Sequence, residues 1–390
     1  MTDTPWIRKR QETDERISKI RVLVTYPFLP HYRLGVFRAL EDLADFDFEF
    51  AADEESVAGI LIIDHHELKK RAHLRNVRLG RILWQIGAVS EAARRRHDAY
   101  IYVGDASITS TWIAAVIARV NKRPVLFWTI GWHRPETGAK RVIRLTFYRL
   151  ADRLLLYGHI GRQIGLGCGY PERKMSVIGN SVTSLSGDVN ETSGIESISQ
   201  LPRGRAMVGA VIRLTPQKRL DLLIQAVAVI SRSHRPVSVL LVGDGPEKER
   251  LRRLATTLGV DLHLIGPLYT DEAIASVYRH MSVTVVPAAI GLTAIQSLSH
   301  GVPVISDDDR YAQMPEWEAI IEGVTGGTYR SGDVSSLATT ITSWLDRMES
   351  EAADVRSDCR REVDARWTPQ AQAGRIAAAL LELLPTGGSR

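Results

Sequence analysis

Cysteine is nearly absent from this 390-residue chain: only Cys168 and Cys359 occur, far apart and in no metal-ligand spacing. That excludes a disulfide framework and a cysteine-based zinc site, and it fits a reducing compartment. No run approaches the roughly 20 apolar residues that a membrane-spanning helix needs. The first 21 residues are polar and charged, without the apolar centre of a secretory signal, so a cytoplasmic protein is expected. Neither a Gly-Lys-Ser/Thr phosphate loop nor a GxGxxG dinucleotide fingerprint is present. No repeat of 20–50 residues and no low-complexity tract interrupts the chain.

What is present is an ordinary globular composition, 44% hydrophobic and 24% charged, in a chain long enough for two cores. The net charge of +5 is unevenly spread. Residues 69–149 carry 17 Lys and Arg against 4 Asp and Glu, whereas residues 201–390 are almost balanced. Such a basic stretch implies an anionic partner: lipid headgroups, a lipid pyrophosphate or nucleic acid. A solvated face serving only solubility is the plainer alternative.

Apolar β-rich runs alternate with amphipathic segments. Strands are expected at Arg21–Tyr26, Phe46–Ala52, Tyr100–Val103, Pro124–Trp128, Arg153–Tyr157 and Met175–Ile178. Helices are expected at Gly35–Leu43, Thr109–Val120 and Ala139–Leu150. The Ser, Gly, Asn and Asp-rich run 181–204 breaks the pattern, which restarts at Ala206–Ile212 and continues through Leu220–Ile230, Val237–Val242 and Pro246–Leu258 to Val302–Ile305. Strand–helix alternation of this kind gives right-handed βαβ units around parallel sheets. The division expected is a first α/β domain over 1–190, a linker over 191–205, a second domain over 206–365 and a terminal helix within 366–390, which can return to the first domain.

In such sheets ligands bind beyond the carboxyl ends of the strands. Arg213 and Lys218 stand on the loop after the Ala206–Ile212 strand, spaced to bracket a diphosphate. Val242-Gly-Asp-Gly-Pro-Glu247 is a second strand-to-helix turn, in which Gly243 permits tight geometry and Pro246 suits a first helical turn. The amides of Gly291, Leu292 and Thr293 should open a helix N-terminus, a phosphate site, with Gln296 one turn on and able to reach a ribose hydroxyl.

In that order the motifs are Arg213/Lys218, Val-Gly-Asp-Gly-Pro-Glu, Gly291-Leu-x5-Leu-x2-Gly-Val-Pro-Val-Ile305, Pro315-Glu316 and Gly323-x-Thr-Gly326. Together they resemble glycosyltransferase family 4 over most of residues 206–345. The first half matches more loosely, through Pro30-His-Tyr-Arg33, Phe127-Trp128 and Asn180-Ser181. The resemblance implies the GT-B architecture, two doubly wound Rossmann-like domains facing across a cleft. It also implies a retaining transferase that takes sugar from a nucleotide-diphosphate donor with no bound metal or other cofactor. The implied acceptor is a lipid-linked or cell-envelope glycan, met by the first half, where Tyr32 and Arg33 are the candidate contacts.

Three positions depart from the family. Ala288 and Gln296 stand where it usually has two glutamates, and Ile130-Gly131 where it often has His-Gly. The donor-sugar contact is then left to Asp307, Asp308, Asp309 or Glu316, and the histidine's role to His133 or to nothing. Loss of the glutamates also admits a non-catalytic member that binds a nucleotide sugar or a partner protein. Leu68–Trp84 interleaves Leu, Val and Trp with Lys and Arg, as a segment lying on anionic lipid at the inner membrane face would. With no nucleic-acid-binding motif beside it, lipid is the preferred partner and nucleic acid the weaker alternative.

Overall fold

A computed structural model of the chain describes residues 19–55, 61–181, 198, 201–202, 204–233 and 235–384. The expected linker, 191–205, lies mostly outside the described residues.

The first sheet has seven parallel strands in the order β3-β2-β1-β6-β7-β8-β9. These are β1 (Ile20–Phe28), β2 (Phe46–Asp53), β3 (Arg71–His73), β6 (Ala99–Val103), β7 (Val125–Thr129), β8 (Arg153–Leu156) and β9 (Met175–Val177). A two-stranded antiparallel hairpin, β4 (Arg75–Leu79) and β5 (Ile82–Ile86), stands apart from it. β1 is an interior strand, and Val22, Leu23 and Val24 in succession are at most 1% exposed, because helices cover both faces of a parallel sheet.

The second sheet runs β12-β11-β10-β13-β14-β15. Its strands are β10 (Ala206–Val211), β11 (Val237–Val242), β12 (Leu262–Ile265), β13 (Val283–Val285), β14 (Val304–Asp307) and β15 (Gly326–Tyr329). Read as 3-2-1-4-5-6, this is the doubly wound order, with a topological switch point beside the first strand. The segments Val334–Ser350 and Ala352–Arg366 are further helices that the strand–helix reading left unassigned.

Several expected boundaries shift by one or two residues, and one of the shifts has a visible cause. The helix after β11 begins at Lys248, not at Pro246. The Gly245 carbonyl accepts from the Lys248 amide, and the Glu247 amide donates to Leu214, so 245–248 is a turn tied to the neighbouring loop.

The terminal helix Pro369–Leu381 crosses back to the first sheet. Ala373, Ile376, Ala377 and Leu380 are buried in one cluster with Val22, Val24 and Phe37. The fully buried Gln372 donates to the Gly179 carbonyl at 2.7 Å and accepts from Ser181 Oγ at 2.8 Å. A buried amide is tolerable only when so satisfied.

Candidate functional site

A cavity of about 860 Å³ opens between the carboxyl edges of the two sheets. Tyr32, Arg33, Trp128, His133, Arg144, Tyr157 and Asn180 line it from the first half, and Gly291, Leu292, Met314, Pro315 and Glu316 from the second.

Arg33 ends the short 3₁₀ turn His31–Arg33 after β1, and it is buried instead of lying on the surface. Its guanidinium donates to Asn180 Oδ1 at 2.5 Å and to Tyr157 OH at 2.7 Å. It also lies 4.8 Å from the Tyr157 ring centre and 5.6 Å from that of Trp128, within cation–π range. Asn180 in turn donates from Nδ2 to Glu316 Oε1, so one amide joins a cation of the first half to a carboxyl of the second. Burial pushes the Glu316 carboxyl above the usual carboxylate range, and its bond to Asn180 with nearby Arg33 and Lys218 opposes this only in part.

The four acidic candidates for a donor-sugar contact now separate. Asp307 binds Gln313 and Ser331, Asp308 accepts from the Ser331 amide, and Asp309 accepts from the Tyr311 amide. Of the four, only Glu316 lines the cavity. Its Oε2 lies 3.9 Å from where a side chain on Gly291 would begin.

A second, smaller cavity of about 460 Å³ is lined by Arg213, Gly243, Asp244, Leu268, Tyr269 and Gln296 among others. Gln296 Oε1 accepts from Tyr278 OH at 3.3 Å, which leaves its amide nitrogen to donate. Gly243 has φ +134°, and a Cβ there would stand 2.2 Å from the Ile212 carbonyl oxygen. Glycine thus lets the 242–247 turn lie against the loop that carries Arg213, where the Leu214 amide donates to Asp244. Arg213 is exposed and makes no ion pair among the described residues.

Lys218 Nζ donates to the Ala289 carbonyl at 2.5 Å, and burial lowers its pKa. Ala289 itself holds φ +50°, unusual for a residue with a side chain. Thr293 Oγ1 donates to Val211 at the end of β10, so the Arg213–Lys218 loop and the Gly291–Thr293 segment meet. The helix there is short, Thr293–Ser299. The amides of Gly291 and Leu292 have no acceptor among the described residues.

His133 stands at the exposed rim of the large cavity, and partial desolvation with Arg144, Arg134 and Lys140 nearby pushes its pKa down. Arg144, which the sequence reading missed, reaches the cavity from the helix Gly138–Tyr148. It donates to Glu136 at 2.7 Å and to the Gly131 carbonyl at 2.9 Å. Asn180 carried a sequence signal as part of Asn180-Ser181, but nothing in that dipeptide announces Arg33 or Glu316 as partners.

The two halves also meet at the turn Pro315–Ala319, where Glu318 accepts from the amides of His159 and Ile160 at 2.8 and 2.6 Å. A carboxylate from the second half thereby caps the helix His159–Gly167 of the first.

Leu68–Trp84 is not one continuous surface. Leu68, Leu74 and Leu83 are buried, and Lys69 and Lys70 pair with Asp42 and Asp47. What projects is the hairpin, since the Gly80 turn folds the run back on itself. No helix among the described residues is long and apolar enough to cross a membrane. Both cysteines are buried and unpaired.

Residues 194–360 match the family model of glycosyl transferases group 1. The chain is 28% identical over 152 residues to the GDP-mannose-dependent alpha-(1-6)-phosphatidylinositol monomannoside mannosyltransferase of Mycolicibacterium smegmatis, covering 36% of this chain and 39% of that one. It is 32% identical over 173 residues to the D-inositol 3-phosphate glycosyltransferase of Gordonia bronchialis, covering 40% and 37%. The alignments thus span about two fifths of the length of these relatives. Two solved structures share the fold. A glycosyltransferase from Rickettsia africae superposes with TM-score 0.73 at 14% identity over 95% of this chain and all of that one. Anabaena HepE in complex with UDP superposes with TM-score 0.67 at 17% identity over 93% and 100%. The chain therefore has the GT-B fold of these glycosyltransferase structures, and residues 194–360 are similar to glycosyl transferases group 1.

Proposed function

We propose that the protein transfers a hexosyl unit from a nucleotide-diphosphate sugar to a lipid-linked or cell-envelope glycan acceptor, with retention of anomeric configuration. The observation that carries this reading is that the segment from Gly291 to Gln296 contributes to the lining of two cavities. One holds Arg213, Gly243 and Gln296, and the other joins Gly291, Leu292 and Glu316 to Tyr32 and Arg33 of the opposite half. The nucleoside fits the smaller space, with Gln296 on a ribose hydroxyl. The diphosphate bridges to the larger one past Arg213, Lys218 and the amides of Gly291 to Thr293. The sugar then lies against Glu316, which takes the contact that Ala288 cannot make, and the acceptor enters beside Tyr32 and Arg33.

In this scheme the bond between the anomeric carbon and the diphosphate oxygen breaks, and its electron pair leaves with the diphosphate. The acceptor hydroxyl attacks from the same face and gives its proton to the departing phosphate oxygen. Arg213 and Lys218 stabilise the charge that develops there, without reorganising as it forms. His133, whose pKa is pushed down by partial burial and nearby cations, orients the acceptor or sugar by hydrogen bonding at the rim. Lipid-linked acceptors are favoured by the mycobacterial relative, named for a phosphatidylinositol mannoside.

Ala288 and Gln296 favour a second reading, a protein that binds a nucleotide sugar without turnover. Mass spectrometry of a nucleotide-sugar panel separates the two. Release of free nucleoside diphosphate, faster with acceptor lipid present, supports transfer. Saturable donor binding without release supports the second reading.

A further inference from the structure

Residues 69–90 carry six Lys and Arg and no Asp or Glu. Lys69 and Lys70 are paired elsewhere, and Arg71 donates to the Ile63 carbonyl at 3.1 Å. The other three, Arg75, Arg78 and Arg81, are exposed on the hairpin and make no ion pair among the described residues. The strand register sets Val77 opposite Trp84, Leu79 opposite Ile82 and Arg75 opposite Ile86, so these side chains share one face. Five of the six are large and apolar, and their exposure runs from 37% at Trp84 to 78% at Leu79. An apolar cluster of this kind on a projecting hairpin marks an interaction surface.

The opposite face is fastened down. Gln85, 1% exposed, donates from Nε2 to the Tyr26 carbonyl at 2.9 Å and from its amide to Ser110 Oγ at 3.0 Å. Asn76 donates to the Pro27 carbonyl at 2.8 Å and, from its amide, to Asp53 Oδ2 at 2.5 Å. These anchors lie at the carboxyl ends of β1 and β2, the edge on which the large cavity opens. The Leu83 amide donates to Ser107, directly after the cavity-lining Asp105 and Ala106.

We propose that this hairpin face docks on an anionic lipid bilayer, with Val77, Leu79, Ile82, Trp84 and Ile86 entering the interface, Arg75 on the same face and Arg81 in the turn meeting lipid phosphates, and Arg78, exposed on the other face next to the turn, reaching phosphates at the hairpin's edge. A second copy of the chain fits the face poorly. Two copies would bring their arginines together with no carboxylate in 69–90 to answer them, whereas phosphates supply that charge. Single-stranded nucleic acid is disfavoured by the face itself, which offers one aromatic ring and four aliphatic side chains where stacking needs rings. The proposal deepens the lipid-linked acceptor reading by putting the cavity mouth beside the bilayer. Its readout is vesicle binding without catalysis, so either idea can fail alone.

The test is co-sedimentation of the full chain with vesicles of mixed phosphatidylglycerol and phosphatidylcholine, or of phosphatidylcholine alone. The expected result is binding to the anionic vesicles, little to the neutral ones, and release by high salt. The triple change Arg75→Glu, Arg78→Glu and Arg81→Glu should lower binding about tenfold or more. The pair Leu79→Ser and Ile82→Ser should lower it similarly, while the three Arg→Lys changes should largely retain it. Unchanged melting curves and donor binding in each variant show that the fold is intact. Absence of binding to anionic vesicles, or binding that ignores both sets of substitutions, overturns the proposal. A concentration-dependent dimer abolished by the serine pair would assign the face to a second copy. Retention on an oligonucleotide in place of vesicles would assign it to nucleic acid.

Discussion

The two sheets share a strand order, but their carboxyl edges are built differently. On the second sheet the loops are short, glycine-pinned and hydrogen-bonded to one another, as where the 242–247 turn lies against the Arg213 loop. On the first sheet the edge carries a projecting hairpin, a buried Arg33 and a rim of cations from the helix Gly138–Tyr148. The contrast follows from what each half is proposed to hold. A nucleoside diphosphate presents the same phosphates whatever the sugar, so its site can be small and stiff. An acceptor varies in shape and reaches its half from a surface, so that edge is broader and more irregular.

Substitutions at the proposed diphosphate site should have the strongest effect. Arg213→Ala or Lys218→Ala should lower turnover by about two orders of magnitude or more, because each removes charge stabilisation of the leaving group. Near-normal rates in both variants would remove the assignment, and thermal melts should move little. Next in size is Leu380→Ala, in the terminal helix that packs on the first sheet. Truncating this fully buried side chain should cost about 3 kcal/mol, read by urea denaturation, and should leave donor affinity unchanged. A loss of donor affinity with no loss of stability would place the helix's contribution in the wrong half.

A smaller effect is expected from His133→Gln. The folded-state pKa of His133 is lowered, so below about pH 6.5 the unfolded chain takes up the proton first and native stability falls with pH. The variant should lose that dependence, which melts at pH 5 and 7 can resolve, although the residue's exposure keeps the difference slight. At the end of the scale, chelation by EDTA should leave transfer unchanged, since cations and amides supply the positive charge in the proposed site. Activity lost on chelation and restored by Mg²⁺ or Mn²⁺ would count against it.

Much of the frame was legible because parallel strands buried on both faces read as continuous apolar runs. Thr109–Val120 and Val237–Val242 have the expected limits. The hairpin was not recognised, although Val77/Leu79 and Ile82/Trp84/Ile86 alternate with period two. The charges between them suggested a single interfacial segment instead. Arg33 was legible as a candidate but not as a buried group, because its burial depends on Asn180, 147 residues away. Likewise, the choice of Glu316 over Asp307, Asp308 and Asp309 depends on which carboxyl faces the cavity, a matter of three-dimensional packing that a motif does not encode.

The return of the terminal helix changes what kind of object the second domain is. Two stretches of chain, not one, pass between the halves, so the second half is covalently an insertion within the first. Cleavage anywhere between Ser181 and Gly204 would leave two fragments still bound together, because the distal piece ends in a helix sealed by Ile376, Leu380 and the Gln372 hydrogen bonds.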